Sequence, residues 1–455
     1  MPASDTIVAL STAPGRSAIS IIRLSGSQSL AVLRTLVADK DLSPEPNRVA
    51  LRRIFEPTSG DLLDESLITY FKGPNSFTGE DIVEISCHGS PVLIRQIIDL
   101  TLSMNARLAG PGEFTLRAVA NGRLKLEQAE AIRDLIDSQT SAAARQAARQ
   151  MSGELSLRLQ PLKDILVNII VVLESTIEFV EEDLPEIAVA QLDEQLSYLM
   201  NEIRQLSGTY QEGRLLREGL KVALVGRPNV GKSSLFNSLL SADRAIVTDI
   251  EGTTRDSLTE TISVKGVPVT VTDTAGLRAS DNQIEKLGVQ RTRRAMADAD
   301  LVVFVLDGSM ALTSEDFEIL SEIKSSRYLI VVNKMDLQSF SSDEIRRLQT
   351  GEAIQEVSAR NRSGLDALSD AILAPFATGE TVETGLLITD ARHFDLLKRA
   401  VKALDVSREL FSQGAGEELV LVGLNDALKF LGEITGETTS EDILSRIFAT
   451  FCIGK

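Results

Sequence analysis

Lys221-Val222-Ala223-Leu224-Val225-Gly226-Arg227-Pro228-Asn229-Val230-Gly231-Lys232-Ser233-Ser234 decides the fold. A short apolar run reads as a buried strand. It is followed by G-x-x-x-x-G-K-S and then by Ser234–Leu240, whose apolar spacing predicts a helix. Glycines at both ends let backbone N–H groups wrap an anion, and the helix N-terminus adds a favourable dipole. Lys232 brings a positive charge to the β- and γ-phosphates, and the Ser233 hydroxyl suits Mg²⁺. A glycine-rich turn without a ligand is the alternative reading.

Downstream motifs narrow the choice. Asp273-Thr274-Ala275-Gly276 follows the predicted strand Val267–Thr272. Asp273 can hold Mg²⁺ through water, and the Gly276 N–H can sense a γ-phosphate. Asn333-Lys334-Met335-Asp336 follows the predicted strand Tyr328–Val332. A carboxylate at Asp336 accepts from guanine N1–H and N2–H₂, a donor pair that adenine lacks. Ser358-Ala359-Arg360 stands where a backbone N–H can meet guanine O6. The base is therefore read as guanine and the nucleotide as GTP. Thr248-Asp249-Ile250-Glu251-Gly252-Thr253-Thr254 lies between the first two motifs as a switch segment, with Thr254 completing the Mg²⁺ shell beside Ser233 and Asp273. The phosphate-loop contacts are Asn229, Val230, Gly231, Lys232, Ser233 and Ser234. Taken in order, the motifs resemble the translation-factor-like class of small GTPases.

One position departs from the Ras pattern. Leu277 stands where Ras-like proteins place a water-orienting Gln. Hydrolysis then needs other groups. Asn229 with the backbone of Thr248, Ile250 and Thr253 could ring a K⁺ ion beside the phosphates; an ordinary polar loop residue is the bland alternative. Glu285 could orient water through an intermediary, or be an exposed acid on a helix.

Working outward, Leu301–Leu306 adds another continuous apolar strand, as expected of a parallel sheet covered on both faces. On either side the pattern is helical. Glu127–Gln150 has no Gly or Pro, Pro161 suits the first residue of a second helix, and Leu192 to Tyr210 shows a 4-3-4-3-4 seam. Helical spacing resumes after Thr384. Residues 1–120 mix β-like runs (Ala18–Leu24, Ser66–Phe71, Ile82–Cys87) with amphipathic stretches. The expected fold is multidomain α/β plus α: an N-terminal α+β domain over 1–120, a helical domain split into 121–218 and 379–455, and a Ras-like G domain over 219–378 inserted between its halves.

The 455 residues carry 47 basic and 65 acidic side chains, a net charge of −18. This argues against indiscriminate nucleic-acid coating. Local patches differ: Glu174–Glu186 holds six acids and no base, whereas 117–149 holds six bases against four acids. Two cysteines and two histidines exclude a disulfide framework and argue against a Cys/His zinc cluster. The N-terminal stretch lacks the pattern of a signal peptide, and no apolar run spans a membrane; a cytoplasmic, membrane-free protein is expected.

GRPNVGKSSLFNSLL, TDIEGTTRD, DTAGLR, the terminal FCIGK, APGRSAISIIRLSG, NSFTGEDIVEISCHGSP and GPGEFTLRAVANGRLKLEQAEAI together resemble the MnmE (TrmE) family of tRNA-modifying GTPases. The resemblance runs over essentially the whole chain. It implies an N-terminal domain similar to tetrahydrofolate-binding enzymes, homodimerisation through that domain, and a heterotetramer with the flavoprotein MnmG, which brings FAD. It implies installation of an aminomethyl-type group at C5 of the wobble uridine of certain tRNAs. It also implies K⁺-activated GTP hydrolysis with Glu285 positioning water. A 5-formyl-tetrahydrofolate or related one-carbon folate would be held at Arg23, Glu80, Arg123 and Lys455. Cys452 would lie near the modification site in a structural, redox or catalytic role; from the residues alone, a Cys between Phe451 and Ile453 reads as a small packed side chain. Two other functions fit parts of the pattern: a ribosome-assembly GTPase switch, and a folate-dependent one-carbon enzyme with a regulatory G domain.

Overall fold

The computed structural model describes residues 5–178, 186–242, 258–273, 294–337, 354–376, 385–438 and 441–454. The chain divides into two compact units. One comprises Met1–Arg133, Gln150–Leu173 and Leu424–Lys455; the other comprises Asp134–Arg149 and Glu174–Gly423.

The first unit is built on six strands: β1 (Thr6–Leu10), β2 (Ser17–Ser25), β3 (Val49–Phe55), β4 (Leu62–Phe71), β5 (Ile82–Gly89) and β6 (Ala106–Leu108). Their order is β3-β4-β5-β2-β1-β6, antiparallel except for the β1–β6 pair. Helices α1 (Ser29–Leu36) and α2 (Pro91–Ser103) bury Val32, Leu33, Leu36, Ile94 and Ile97 against Ile22, Leu24, Ile68, Val83 and Ile85. Strand alternation sends the intervening residues to the opposite face. There Ile19, Val49, Leu51 and Leu67 are exposed. The helix α3 (Glu113–Ala120) follows the sheet.

Two helical expectations change. The stretch Glu127–Gln150 is not one helix but two, α4 (Leu126–Asp137) and α5 (Ser141–Met151). Hydroxyls make the break. Ser138 Oγ donates back to the Leu135 carbonyl at 2.7 Å, and Thr140 Oγ1 accepts from the Ala143 N–H at 3.2 Å, as an N-cap does. Pro161 does not open a helix. It lies inside α6 (Glu154–Glu178), which starts after Gly153 at φ +83°. A proline there removes one backbone bond. Leu155, Leu159, Leu162, Leu166, Ile169 and Leu173 are all buried on both sides of it, and that burial offsets the loss.

The second unit contains α7 (Glu186–Gly208) and α8 (Tyr210–Glu218), then β7 (Leu220–Val225), α9 (Lys232–Ala242), β8 (Leu258–Val264), β9 (Val267–Asp273) and β10 (Leu301–Asp307). It continues with α10 (Ser314–Ile323), β11 (Tyr328–Asn333), β12 (Ile354–Glu356), α11 (Leu365–Leu373) and α12 (Ala391–Ser412). The strand order is β12-β11-β10-β7-β9-β8, parallel except for the β8–β9 hairpin. All seven β10 residues are buried. One sheet face packs on α9 and α11 through Leu235, Phe236, Leu239, Leu368 and Ile372. The other packs on α10 through Leu320 and Ile323. The double coverage expected from the apolar strands is present. Helices α13 (Glu417–Thr435) and α14 (Glu441–Phe448) lie towards the C-terminus.

Strands β1, β3, β6, β8 and β12 go beyond the runs legible in the sequence. Three-residue β6 and β12 are too short to show a period, and β3 carries Arg52 and Arg53 among its apolar residues.

Gly213 in α8 lets residues 387–388 approach. A Cβ at that position would lie 2.2 Å from the Ile388 carbonyl oxygen, a backbone atom. Helix propensity favours Gly→Ala by about 1 kcal/mol, and the overlap outweighs it. Gly213→Ala is expected to destabilise the second unit by about 1–3 kcal/mol, read as a lowered unfolding temperature in calorimetry. An unchanged or raised temperature would contradict this packing.

Candidate functional site

In a parallel sheet covered on both faces, polar groups collect at the carboxyl ends of the strands. β7 ends at Val225 and enters the phosphate loop. Gly226 has φ +152°, and a Cβ there would lie 2.3 Å from the Val305 carbonyl oxygen. Asn229 (φ +67°) and Gly231 (φ +94°) complete the turn. A Cβ on Gly231 would lie 2.3 Å from Asn333 Nδ2, so only glycine admits the neighbouring loop. Lys232 is 5% exposed, and its ammonium donates to the Gly226 and Arg227 carbonyls, both at 2.6 Å. Ser233 and Ser234 open α9 on its exposed side, and Val230 is buried beneath. Ser233 Oγ donates to Asp273 Oδ2 at 2.6 Å. The expected Mg²⁺ pair is thus together, as the oxygen-only donor set that a hard cation takes.

The Asn333–Asp336 segment is tied to the same loop. Asn333, at the end of β11, donates from Nδ2 to the Val230 carbonyl at 3.1 Å and accepts at Oδ1 from the Ala359 N–H at 3.0 Å. Lys334 (φ +66°) donates from Nζ to the Asn229 carbonyl at 2.7 Å and to Asp307 Oδ2 at 2.6 Å. Ser358 Oγ donates to Asp336 Oδ1 at 2.7 Å, and Arg360 is 3.9 Å from Asp336 Oδ2. The structure therefore brings together Asn229, Val230, Gly231, Lys232, Ser233, Asp273, Asn333, Lys334, Asp336, Ser358, Ala359 and Arg360. Thr248, Asp249, Ile250, Glu251, Gly252, Thr253, Thr254, Thr274, Ala275, Gly276 and Glu285 lie outside the described residues. So does Lys455.

The first unit holds a second constellation. A cavity of about 270 Å³ is lined by Arg23, Phe71, Phe77, Ile82, Glu84 and Ile132. Arg23 and Glu84 face each other in the β2–β5 register, and the Arg23 Nε–Glu84 Oε1 distance is 2.8 Å. The Arg23 guanidinium also lies 5.8 Å from the Phe77 and Phe114 ring centres. Glu80 and Arg123 do not line this cavity. Glu80 accepts from Ser25 Oγ at 2.8 Å and from Arg117 Nη1 at 3.1 and 3.2 Å; Arg123 Nε donates to the Ser76 carbonyl at 3.0 Å. Both hold the 73–81 loop that brings Phe77 to the cavity.

The chain's last described residues pack on the same unit. Gly112 N–H donates to the Cys452 carbonyl at 3.2 Å, Ile453 bridges Pro111, and Ser11 Oγ donates to the Gly454 carbonyl at 3.1 Å. Cys452 itself is exposed. This corrects the expectation of a packed thiol: Phe451 and Gly454 take the buried positions, and Cys452 and Ile453 between them are both exposed.

Sequence reasoning missed Glu84 and Arg117. Arg117 is 6% exposed and bonds Asp5, Glu80 and Glu113. A charge in the last turn of a short amphipathic helix looks like a solvated face. Glu84 had a legible signal, since it alternates with buried Val83 and Ile85.

A family model described as "MnmE helical domain" matches residues 126–452, and one described as "GTP-binding protein TrmE N-terminus" matches residues 6–123. The chain belongs to the MnmE family of tRNA modification GTPases. The tRNA modification GTPase MnmE of Aquifex aeolicus (strain VF5) is 42% identical over 453 residues, covering 99% of this chain and 100% of that protein. The tRNA modification GTPase MnmE of Koribacter versatilis (strain Ellin345) is 43% identical over 460 residues, covering 100% of each chain. Among solved structures, a single-residue variant of Aquifex aeolicus Era bound to GDP·AlF4⁻ is 27% identical over 40% of this chain and 65% of that one, with a TM-score of 0.29.

Two substitutions probe this MnmE-family chain. Asp336→Asn replaces the carboxylate expected to face two guanine donors with an amide that offers a donor. GDP affinity is expected to fall roughly a hundredfold while xanthine nucleotides, which carry an oxygen in place of the amino group, gain; fluorescent-nucleotide titration reads both. The second concerns Glu113. Burial raises its pKa, but bonds from Arg107, the Gly110 N–H and Arg117 outweigh it and hold the carboxyl at about 2, below the usual 4.5. A depressed pKa contributes stability above pH 4.5 that is lost as the pH falls towards 2. Glu113→Gln is expected to flatten that loss in urea unfolding followed across this range.

Proposed function

We propose that this chain is a K⁺-activated GTPase. With the flavoprotein MnmG it adds an aminomethyl or carboxymethylaminomethyl group at C5 of the wobble uridine, U34, of certain tRNAs. The observation that carries the reading is the convergence at one sheet edge of the phosphate loop, the Ser233–Asp273 pair and the Asn333, Asp336 and Ser358 network in an MnmE-family chain. GTP would bind with its phosphates in the loop at Lys232 and its base at Asp336. Mg²⁺ would be held at Ser233, Asp273 and Thr254. K⁺ would lie at Asn229, Thr248, Ile250 and Thr253 and supply charge that a leucine at 277 cannot replace. Glu285 would position the attacking water.

The domain organisation fits this work: residues 1–120 for folate and dimerisation, 121–218 and 379–455 for the helical domain, 219–378 for the G domain. Ile19, Val49, Leu51 and Leu67, exposed on one sheet face, support pairing with a second copy. The cavity lined by Arg23, Phe77 and Glu84 supports a one-carbon folate, since an aromatic wall suits a flat ring and an arginine suits its carboxylates; Glu80, Arg123 and Lys455 would be its further contacts, with Cys452 near the modification site. FAD would enter only through MnmG. Among the described residues no helix is long and apolar enough to cross a membrane, and we place the protein in the cytoplasm with its tRNA.

GTP hydrolysis measured in KCl and in NaCl, for wild type and Glu285→Ala, tests the mechanism. Faster turnover in KCl that the variant loses is expected. Equal rates in both salts, with the variant unaffected, would remove both the K⁺ and the Glu285 assignments. Loss of wobble-uridine modification on deleting the gene is expected; intact modification with stalled ribosomal subunits would favour a ribosome-assembly switch. Formyl-tetrahydrofolate turnover without tRNA or MnmG would favour a one-carbon enzyme.

A further inference from the structure

Asp307 is the last residue of β10, whose register sets it opposite Asn333 of β11. It is 6% exposed and belongs to none of the motifs that read the nucleotide. Its two oxygens are divided between two tasks. Oδ1 accepts from the Ser309 N–H at 2.9 Å and the Ser309 hydroxyl at 2.6 Å, which fixes the carboxylate plane. Oδ2 accepts from Lys334 Nζ at 2.6 Å, and the same ammonium donates to the Asn229 carbonyl at 2.7 Å. Burial alone would raise the Asp307 pKa; the Lys334 and Ser309 bonds outweigh it and keep the group ionised.

Lys334 therefore ends between a fixed anion and the backbone of the phosphate loop. Its backbone takes a left-handed conformation and sits between Asn333 and Asp336. A flexible four-carbon stem has several rotamers; an ammonium held at two points leaves it few. We propose that Asp307 is a positioning residue of the guanine-nucleotide site: it anchors Lys334 against Asn229 O and so locks the base-reading segment to the phosphate loop before nucleotide arrives. Asp307 acts through Lys334 and touches no reacting atom. Its removal costs the preorganisation of the pocket and leaves the hydrolytic groups in place.

The test is a double-mutant cycle on the full chain, with Asp307→Ala, Lys334→Ala and the double variant, reading fluorescent-GDP affinity and steady-state GTP hydrolysis. Asp307→Ala is expected to weaken GDP binding roughly ten- to a hundredfold, with the loss in hydrolysis falling on KM rather than kcat. In the Lys334→Ala background the same change is expected to add less than about twofold, because the group it anchors is gone. Asp307→Asn keeps an acceptor without the charge and is expected to fall between wild type and Ala. Calorimetry of the nucleotide-free variants separates folding: a lowered unfolding temperature that Asp307→Asn restores without restoring affinity would make the role structural and overturn the proposal. So would additive losses in the cycle, or a fall in kcat at unchanged KM.

Discussion

The side-chain amide of Asn333 is the interaction on which the nucleotide site depends. It gives its N–H to the Val230 carbonyl and takes the Ala359 N–H, so one group spans the phosphate loop and the segment after β12. Both partners are backbone atoms in buried positions, and an unmatched buried backbone group costs about 1–3 kcal/mol. The bond therefore fixes the distance between the place where phosphate charge would lie and the place where the base would lie. Gly231 is the other half of the same constraint. It has no side chain because Asn333 Nδ2 occupies the space a Cβ would need.

The parallel sheet supplies the platform for that bond. Val302 to Asp307 pair residue for residue with Tyr328 to Asn333, and Leu301 to Phe304 with Val222 to Val225. Continuous apolar pairing leaves the strands no polar outlet along their length. The polar residues Asp273, Asp307 and Asn333 all stand at the last position of their strands. Arg227 extends the network to a helix: its Nε donates to Asp316 Oδ1 at 2.7 Å, and Asp316 is the acid of the capping box that starts α10.

Most of the α/β unit was legible because its signals are local. An apolar run of four to seven residues that ends in Gly or Asp specifies a strand and its end in one reading, and Gly226 to Ser233 needs no distant partner to be recognised. What stayed hidden depended on long-range partners. Arg117 looks like a surface charge until Asp5 and Glu80 are seen beside it, with Asp5 112 residues away. The tail Phe451–Gly454 suggests a packed cysteine until Phe451 and Gly454 are seen to take the buried positions, with Ile453 bridged to Pro111. The break at Ser138–Thr140 lay between: the hydroxyls were visible, but alanine-rich flanks spoke for a continuous helix.

The tail pairing has a consequence for the order of assembly. Ser11 Oγ reaches the Gly454 carbonyl across 443 residues of sequence, and Gly112 has room only for Phe448 and Phe451 in place of a side chain of its own. During synthesis the sheet of the first unit can form early, but its Leu10, Ser11 and Gly112 surface stays open until Phe448 to Gly454 emerge. The entire nucleotide-binding unit is made in the interval. A ribosome that stopped short of Phe451 would release a chain with its nucleotide-binding unit complete and the Leu10, Ser11 and Gly112 surface bare, so the covering of that surface reports that translation has passed through the tail.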